Sequence, residues 1–378
     1  MTTTLKTVSP VDGSVYVERP FATEPDVAKA LSATCRAADV WREVPVEERA
    51  AICTRAVDAI IAAKDGIAEE ITWQMGRPIR YTAGEVGGFE ERARFMIDAA
   101  PAALADIPAE EKDGFTRFIR REALGVVFVI APWNYPFLTS VNSIIPALMA
   151  GNAVILKHSA QTPLVAERYA EAFIEAGLPS GVFQFLHLDH AATKRIIQAP
   201  EVDFIAFTGS VPGGDMVEIA AAGRFIGIGL ELGGKDPGYV RPDANLEHSI
   251  ETLVDGAFFN SGQSCCGIER IYAHADVYDD FVDGAVELVK KYQLGDPTDP
   301  ATTIGPMVRT GAAEYVRGQI RDAVAEGGKA LIDPALFPAN KEESPYLAPQ
   351  VMVNVDHSME LMMEESFGPV VGIMRVSS

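Results

Sequence analysis

Two cysteines, Cys265 and Cys266, stand side by side in the stretch Phe259-Asn260-Ser261-Gly262-Gln263-Ser264-Cys265-Cys266-Gly267-Ile268-Glu269-Arg270, after a helical pattern that stops near Gly262 and before a strand pattern. A thiol on a short loop between two rigid elements is well placed to act as a nucleophile. Free cysteine is also a common small core residue, so packing is the alternative that this segment alone leaves open. A carboxylate able to serve as general base is Glu231, which ends the apolar run 226–230 and is followed by Leu232, Gly233 and Gly234. The glycines leave space beside it, and the run reads as a buried strand; a solvated strand-end glutamate is the plainer alternative. Asn134, in Pro132-Trp133-Asn134-Tyr135-Pro136, and Lys157 close two further apolar runs, and Thr208-Gly209-Ser210-Val211-Pro212-Gly213-Gly214 opens a helix after a third. Backbone N–H groups and a helix dipole at such a junction can meet a phosphate, although a glycine-rich turn can be only a turn.

These residues need a scaffold that ends several strands close together. Residues 125–131 form a continuous apolar run, as strands buried on both faces do. Further strands are expected at 152–157, 182–186, 204–207 and 226–230, with helices from about 136 to 150, 164–176 and 191–198 between them. Serial strand-helix-strand units imply a parallel sheet with helices on both faces, which binds ligands at the carboxyl ends of its strands. Upstream, residues 1–22 read as short strands around the turn Pro10-Val11-Asp12-Gly13, and 24–63, 67–74 and 81–104 read as helical. A polar hairpin is expected across Asp113-Gly114, exposed to solvent or paired with another subunit. Asn245 can cap a helix with Leu246, Ile250, Leu253 and Ala257 on one face, which delivers Cys265. A strand at 268–273 and a helix at 278–291 begin a second α/β unit.

A chain of 378 residues exceeds one ordinary core, and 48% hydrophobic with 22% charged residues is the composition of a soluble α/β enzyme. The 32 basic and 53 acidic residues leave a net charge of −21, which repels nucleic acid and anionic membrane surfaces. Four cysteines show no metal-ligand spacing and no disulfide framework. The amino terminus lacks a signal-peptide pattern and no apolar run is long enough for a membrane span, so a cytoplasmic, reducing location is expected, in which a thiol stays free.

Six pieces in order, Pro132-Trp133-Asn134-Tyr135-Pro136, Lys157, Phe207-Thr208-Gly209-Ser210, Glu231-Leu232-Gly233-Gly234-Lys235, Gly262-Gln263-Ser264-Cys265 and Glu364-Glu365-Ser366-Phe367-Gly368-Pro369-Val370, resemble the NAD(P)-dependent aldehyde dehydrogenase superfamily over essentially the whole chain. The resemblance implies an α/β fold with two α/β domains built on parallel-sheet cores plus a bridging hairpin. Residues 1–104 and 125–231 would form the cofactor-binding domain, 105–124 the bridging and oligomerisation hairpin, and 232–378 the catalytic domain. It implies that Cys265 is the nucleophile and Cys266 its neighbour, that Asn134 is the oxyanion donor and that Glu231 is the general base. Lys157 and Ser210 would contact the adenosine ribose and pyrophosphate of NAD or NADP, and Glu365 and Phe367 the nicotinamide ribose and ring. Trp133, Ser159, Gly209, Gly214, Leu232 and Gly233 are expected along the same cofactor, and no metal is implied. The expected reaction oxidises an aldehyde to a carboxylic acid, since a base at Glu231 favours hydrolysis of the thioester.

The chain departs from the family pattern in three places. Many NAD-preferring relatives carry a glutamate where Ala160 stands, three residues after the lysine, and its absence permits NADP. Numerous relatives have lysine where this chain has Ser143. Family members usually continue well past the Phe367-Gly368-Pro369 segment, so a product ending at Ser378 is expected to lack part of the catalytic domain and the strand that pairs with the hairpin, and to be poorly active or prone to associate. With the missing segment present, a homodimer or homotetramer is expected. Two other readings are a non-catalytic relative, against which the presence of all three catalytic residue types argues, and a thiol-redox protein, which adjacent cysteines disfavour because they seldom form an unstrained bridge.

Overall fold

In a computed structural model, residues 4–377 are described, and they divide into two compact units. The first comprises 17–68 and 83–232 with the start of the chain; the second comprises 8–16, 69–82 and 233 onward. Strands β1 (Thr4–Val8) and β2 (Val15–Pro20) form a two-stranded sheet, with the expected turn between them. The helical stretch that follows is two helices, α1 (Glu24–Trp41) and α2 (Val46–Ala62), rather than one continuous pattern. Pro45, at the N-cap of α2, separates them because the residue before a proline is pushed out of helical geometry. α1 starts from a capping box in which Thr23 and Asp26 satisfy each other's backbone N–H groups. α3 (Lys64–Met75), α4 (Ile79–Leu104) and the exposed antiparallel hairpin of β3 (Ile107–Pro108) and β4 (Phe118–Ile119) follow.

The sheet of the first unit is wholly parallel, built from β5 (Val126–Ala131), β6 (Ala153–His158), β7 (Phe183–Phe185), β8 (Phe204–Thr208) and β9 (Gly227–Glu231) in the order β7-β6-β5-β8-β9. Every residue of β5 is buried, which explains its unbroken apolar sequence. Between the strands run α5 (Pro136–Met149), α6 (Leu164–Glu175), α7 (His190–Gln198) and α8 (Val211–Ala221). The entry to β5 is fixed by two side chains: Asn152 Oδ1 accepts from the N–H groups of Leu124 and Gly125, and Asp203 Oδ2 accepts from Val126 N–H at 2.8 Å. The expectation that β9 is buried is corrected. It is the edge strand, its residues are half-buried or exposed, and Glu231 is exposed.

The second unit carries a five-stranded sheet in the order β10-β11-β14-β13-β12, from β10 (Asp236–Val240), β11 (Ile268–His274), β12 (Lys329–Ala330), β13 (Gln350–Val353) and β14 (Val370–Val376). Its pairings are parallel except the short antiparallel β12. Helices α9 (Leu246–Phe258), α10 (Tyr278–Val289), α11 (Thr310–Ala325) and α12 (Glu360–Met363) pack with it. Its core includes Phe258, Ile271, Phe281, Val351 and Ile373. Asn245 caps α9 by accepting from His248 N–H at 3.2 Å, as its place in the sequence suggests. Among the described residues no helix is long and apolar enough to cross a membrane, and no cluster of His, Cys, Asp and Glu could hold a metal ion.

Candidate functional site

In the first unit Asn134 is buried in the short connection from β5 to α5. Two buried groups that the sequence reading passed over fix the residues just after it. Glu85 on α4 accepts from Phe137 N–H at 3.1 Å, a carboxylate at a helix N-terminus. His158, at the end of β6, lies 3.2 Å from the Pro136 carbonyl through Nε2 and 3.1 Å from Thr162 Oγ1 through Nδ1. A carbonyl only accepts, so Nε2 carries the hydrogen and Nδ1 accepts from the threonine. Burial pushes the His158 pKa down to about 3, so the ring is a neutral positioning group. Neither residue has a local sequence signal, because each acts on a strand-to-helix turn far from it along the chain.

Lys157 precedes this histidine and is half-buried, and desolvation lowers its ammonium pKa. No acidic residue lies in 157–161, and Ala160 is exposed. Ser210 is the N-cap of α8, its hydroxyl accepting from Gly213 N–H at 3.3 Å. The glycines around it answer to packing. A Cβ at Gly209 or Gly213 would lie 2.6 or 2.7 Å from Cζ of Phe207, and one at Gly214 would lie 2.7 Å from Leu232 Cδ2. The helix start is therefore closely packed by Phe207 and Leu232, and the N–H groups of Gly213 and Gly214 donate to the hydroxyl and the carbonyl of Ser210. Lys157, Ser159 and Ser210 are the ammonium and hydroxyl groups at the strand ends of this unit, and their chemistry fits a dinucleotide phosphate, with no carboxylate next to the lysine in the chain. Trp133 and Ser159 are half-buried in the same unit, and Glu231 ends β9, its carbonyl accepting from Gly209 N–H.

In the second unit α9 stops at Phe258, four residues before the glycine at which the sequence pattern places its end. Asn260, Ser261 and Gly262 then adopt consecutive left-handed conformations, with φ of 53°, 57° and 72°. Two non-glycine residues there cost about 1–2 kcal/mol each. Buried side chains compensate. Asn260 Nδ2 donates to the Gln263 carbonyl and Gln263 Nε2 donates back to the Asn260 carbonyl, both at 3.1 Å. Gln263 Oε1 accepts from Val308 N–H at 2.8 Å, and Ser261 Oγ donates to the Gly305 carbonyl at 2.9 Å. This turn presents Cys265 half-buried and Cys266 exposed, the second beside Ser264 Oγ. Burial, together with Cys266 and Glu365, raises the Cys265 pKa above that of an ordinary thiol, so the resting group is protonated at neutral pH. All four cysteines are free.

The second unit also places Glu365 against Gly233, where a Cβ would lie 2.3 Å from its Oε1, and Gly234 N–H donates to that oxygen at 3.2 Å. Burial raises the Glu365 pKa. Phe367, half-buried, has a left-handed backbone, φ 50°. Of the sequence-derived residues, Cys265, Gly233, Glu365 and Phe367 therefore fall in the second unit, and Asn134, Trp133, Lys157, Ser159, Gly209, Ser210, Gly214, Glu231 and Leu232 in the first.

The sequence model of the aldehyde dehydrogenase family matches residues 1–378. The chain belongs to that family. As an aldehyde dehydrogenase it is an NAD(P)-dependent oxidoreductase. It is 35% identical to a protein of Mycobacterium avium (strain 104) named succinate-semialdehyde dehydrogenase [NADP(+)], over 99% of this chain and 79% of the relative. Its structure matches that of an aldehyde dehydrogenase from Brucella melitensis biovar abortus 2308 with a TM-score of 0.94 and 30% identity, covering 100% of this chain and 77% of the other. A succinic semialdehyde dehydrogenase from Streptococcus pyogenes, solved with NADP+, matches with a TM-score of 0.93 and 26% identity over 99% of this chain and 82% of that one. The α/β aldehyde dehydrogenase fold implied by the six motifs is the fold of this protein.

Proposed function

We propose that this aldehyde dehydrogenase oxidises its substrate to a carboxylic acid through a thioester on Cys265, and that it accepts NADP. The observation that carries the thioester route is the half-buried Cys265 thiol at the end of a turn locked by Asn260, Ser261 and Gln263. Only the thiolate attacks a carbonyl, and this thiol rests protonated, so the cycle begins with transfer of its proton to solvent water. The sulfur forms a bond to the aldehyde carbon, and the carbonyl oxygen becomes an oxyanion. Asn134 donates to that oxygen with the backbone N–H of Cys265, an interaction whose loss costs about 10²–10³ in rate.

The bound dinucleotide supplies the acceptor for the hydride that leaves the same carbon. Glu231 then takes a proton from water, which adds to the thioester carbon. The carbon–sulfur bond breaks, the proton held by Glu231 passes to the leaving sulfur, and the carboxylic acid and free thiol remain. The exposed position of Glu231 at a strand end supports this role, since a base that meets water needs access to it. Lys157, Ser159 and Ser210 would hold the adenosine end of the cofactor, and Glu365 and Phe367 the nicotinamide end, with Trp133, Gly209, Gly214, Leu232 and Gly233 beside it. The relatives named for NADP and the carboxylate-free Ala160 support NADP use. The proposed assembly is a homodimer or homotetramer, supported by the exposed hairpin of β3 and β4, and the proposed location is a reducing cytoplasm, supported by four free cysteines.

Absorbance of reduced cofactor across an aldehyde panel that includes succinate semialdehyde, with NAD+ and NADP+ in parallel, tests the reading. Cofactor reduction that persists undiminished in a Cys265→Ala variant would refute it.

A further inference from the structure

A buried ion pair in the second unit takes no part in the chemistry above. Glu269 lies at the start of β11, four residues after Cys265, and Lys235 lies immediately before β10. Both side chains are almost wholly buried, and Lys235 Nζ donates to Glu269 Oε2 at 2.7 Å. The same carboxylate accepts two backbone N–H groups from the turn that leads into β14, Ser366 N–H at 2.7 Å on Oε2 and Phe367 N–H at 2.9 Å on Oε1. Lys235 Nζ adds a bond to Ser366 Oγ at 2.9 Å. β10, β11 and β14 are parallel neighbours, so one carboxylate ties together the amino ends of three strands.

Stability alone does not call for this arrangement, because well-packed apolar residues replace buried ion pairs at little or no loss. What the pair does that apolar residues cannot is hold two particular backbone N–H groups. One belongs to Phe367, whose left-handed φ of 50° an aromatic residue rarely adopts. Each flank of that turn also reaches a place where no side chain fits. Glu365 fills the space over Gly233, and the Gly368 carbonyl lies 2.1 Å from where a Cβ on Gly262 would stand. The turn is thus confined on both flanks, and Glu269 holds two of its backbone N–H groups between them.

We propose that Glu269, charge-paired with Lys235, is a positioning residue for the nicotinamide end of the cofactor: it sets the backbone of Ser366 and Phe367 and so the aim of the Glu365 and Phe367 side chains. The inference rests on the assignment of those two side chains to the nicotinamide ribose and ring. It predicts a split between steps that need the cofactor and steps that do not. Hydrolysis of p-nitrophenyl acetate by the full chain acylates the thiol and is completed by water, with no cofactor required. Glu269→Gln keeps the size but aims an amide at groups that need a carboxylate. It is expected to raise the Kd of NADP+, read by titration of protein fluorescence, by about 10-fold, the ratio that one charge-assisted hydrogen bond carries. Aldehyde oxidation should fall at least as far, ester hydrolysis should stay near the wild-type rate, and Glu269→Asp should recover part of the loss.

Parallel loss of cofactor binding and ester hydrolysis would assign the pair to stability alone and overturn the proposal, as would wild-type cofactor binding in Glu269→Gln. Should Glu269→Gln fail to fold, the double variant Glu269→Gln, Lys235→Met leaves no lone buried charge and carries the same expectation; failure of both to fold also overturns it. A wild-type chain that hydrolyses the ester and binds NADP+ but oxidises no aldehyde would contradict the proposed function and leave this inference standing.

Discussion

Gly262 is one of the glycines at which the structure leaves no room for a side chain, and Gly262→Ala turns that into a measurable loss. Its φ is 72°, and a Cβ there would lie 2.1 Å from the Gly368 carbonyl oxygen, 2.4 Å from its carbon and 3.0 Å from Pro369 N. The left-handed backbone alone costs an alanine about 1–2 kcal/mol. The contact is to backbone rather than to a flexible side chain, so one of two loops must move, and overpacking of that kind costs about 1–3 kcal/mol more. The sum, about 2–5 kcal/mol, is a large part of a typical folding stability of about 5–15 kcal/mol. Both loops carry proposed functional residues, Cys265 on one side and Phe367 on the other, and a shift of about 1 Å at a reacting group is enough for a 10²-fold loss of rate. Two controls separate the terms. Gly114 has φ 78° but open space around it, so Gly114→Ala should cost only the backbone part, about 1–2 kcal/mol. Gly318, within α11 and with nothing near it, should gain about 0.5–1 kcal/mol as alanine. Denaturation midpoints should therefore rank Gly318→Ala highest, then wild type, Gly114→Ala and Gly262→Ala, with kcat/KM collapsing only in the last. A Gly262→Ala enzyme with the midpoint of Gly114→Ala and wild-type kcat/KM would refute the reasoning.

Three further outcomes follow from the site. In a Cys266→Ser background, alkylation of the cofactor-free chain at Cys265 should rise about tenfold per pH unit from pH 6 upward without a plateau below about pH 8.5, because the thiol pKa lies above the ordinary value; a plateau near pH 7 contradicts the protonated resting thiol. Ala160→Glu puts a carboxylate three residues after Lys157 and should lower the ratio of kcat/KM for NADP to that for NAD by about 10-fold or more, about 1.4 kcal/mol of added repulsion; an unchanged ratio removes Ala160 from the account. Asn134→Ala should lower kcat by about 10²–10³ with little change in melting temperature, and an equal fall from a Thr139→Ala control on α5 would point to helix damage instead.

The first sheet was legible in the sequence because β5 to β8 are short apolar runs separated by helices with clear starts, and Asn245 and Ser210 stand where they cap. β10 escaped reading because Pro237 and Gly238 look like a break. It is the edge strand, where a residue without an N–H is tolerated. β9 was read as buried for the opposite reason: an apolar run cannot say whether a strand lies inside a sheet or at its rim. The residues proposed as catalytic stand in short motifs, each contiguous in the chain. The groups that hold them were not. Glu85, His158 and the Lys235–Glu269 pair act on backbone atoms across 22 to 98 residues, and no local pattern records that. The three left-handed residues before Cys265 were likewise hidden, since Asn260 and Ser261 adopt that backbone only because Gln263 and Gly305 receive their side chains or return their bonds.

The account turns on Cys265 as the atom that carries the acyl group and Glu231 as the base that releases it. The direct measurement is peptide mass spectrometry of Glu231→Gln after mixing with aldehyde and NADP+. The account predicts about one equivalent of reduced cofactor in a burst, with steady turnover slowed by about 10²–10⁴, and an acyl group on the peptide from Asn260 to Arg270 that is located on Cys265 and lost in Cys265→Ala. An acyl group on Cys266, or unslowed turnover without an acyl intermediate, would contradict it.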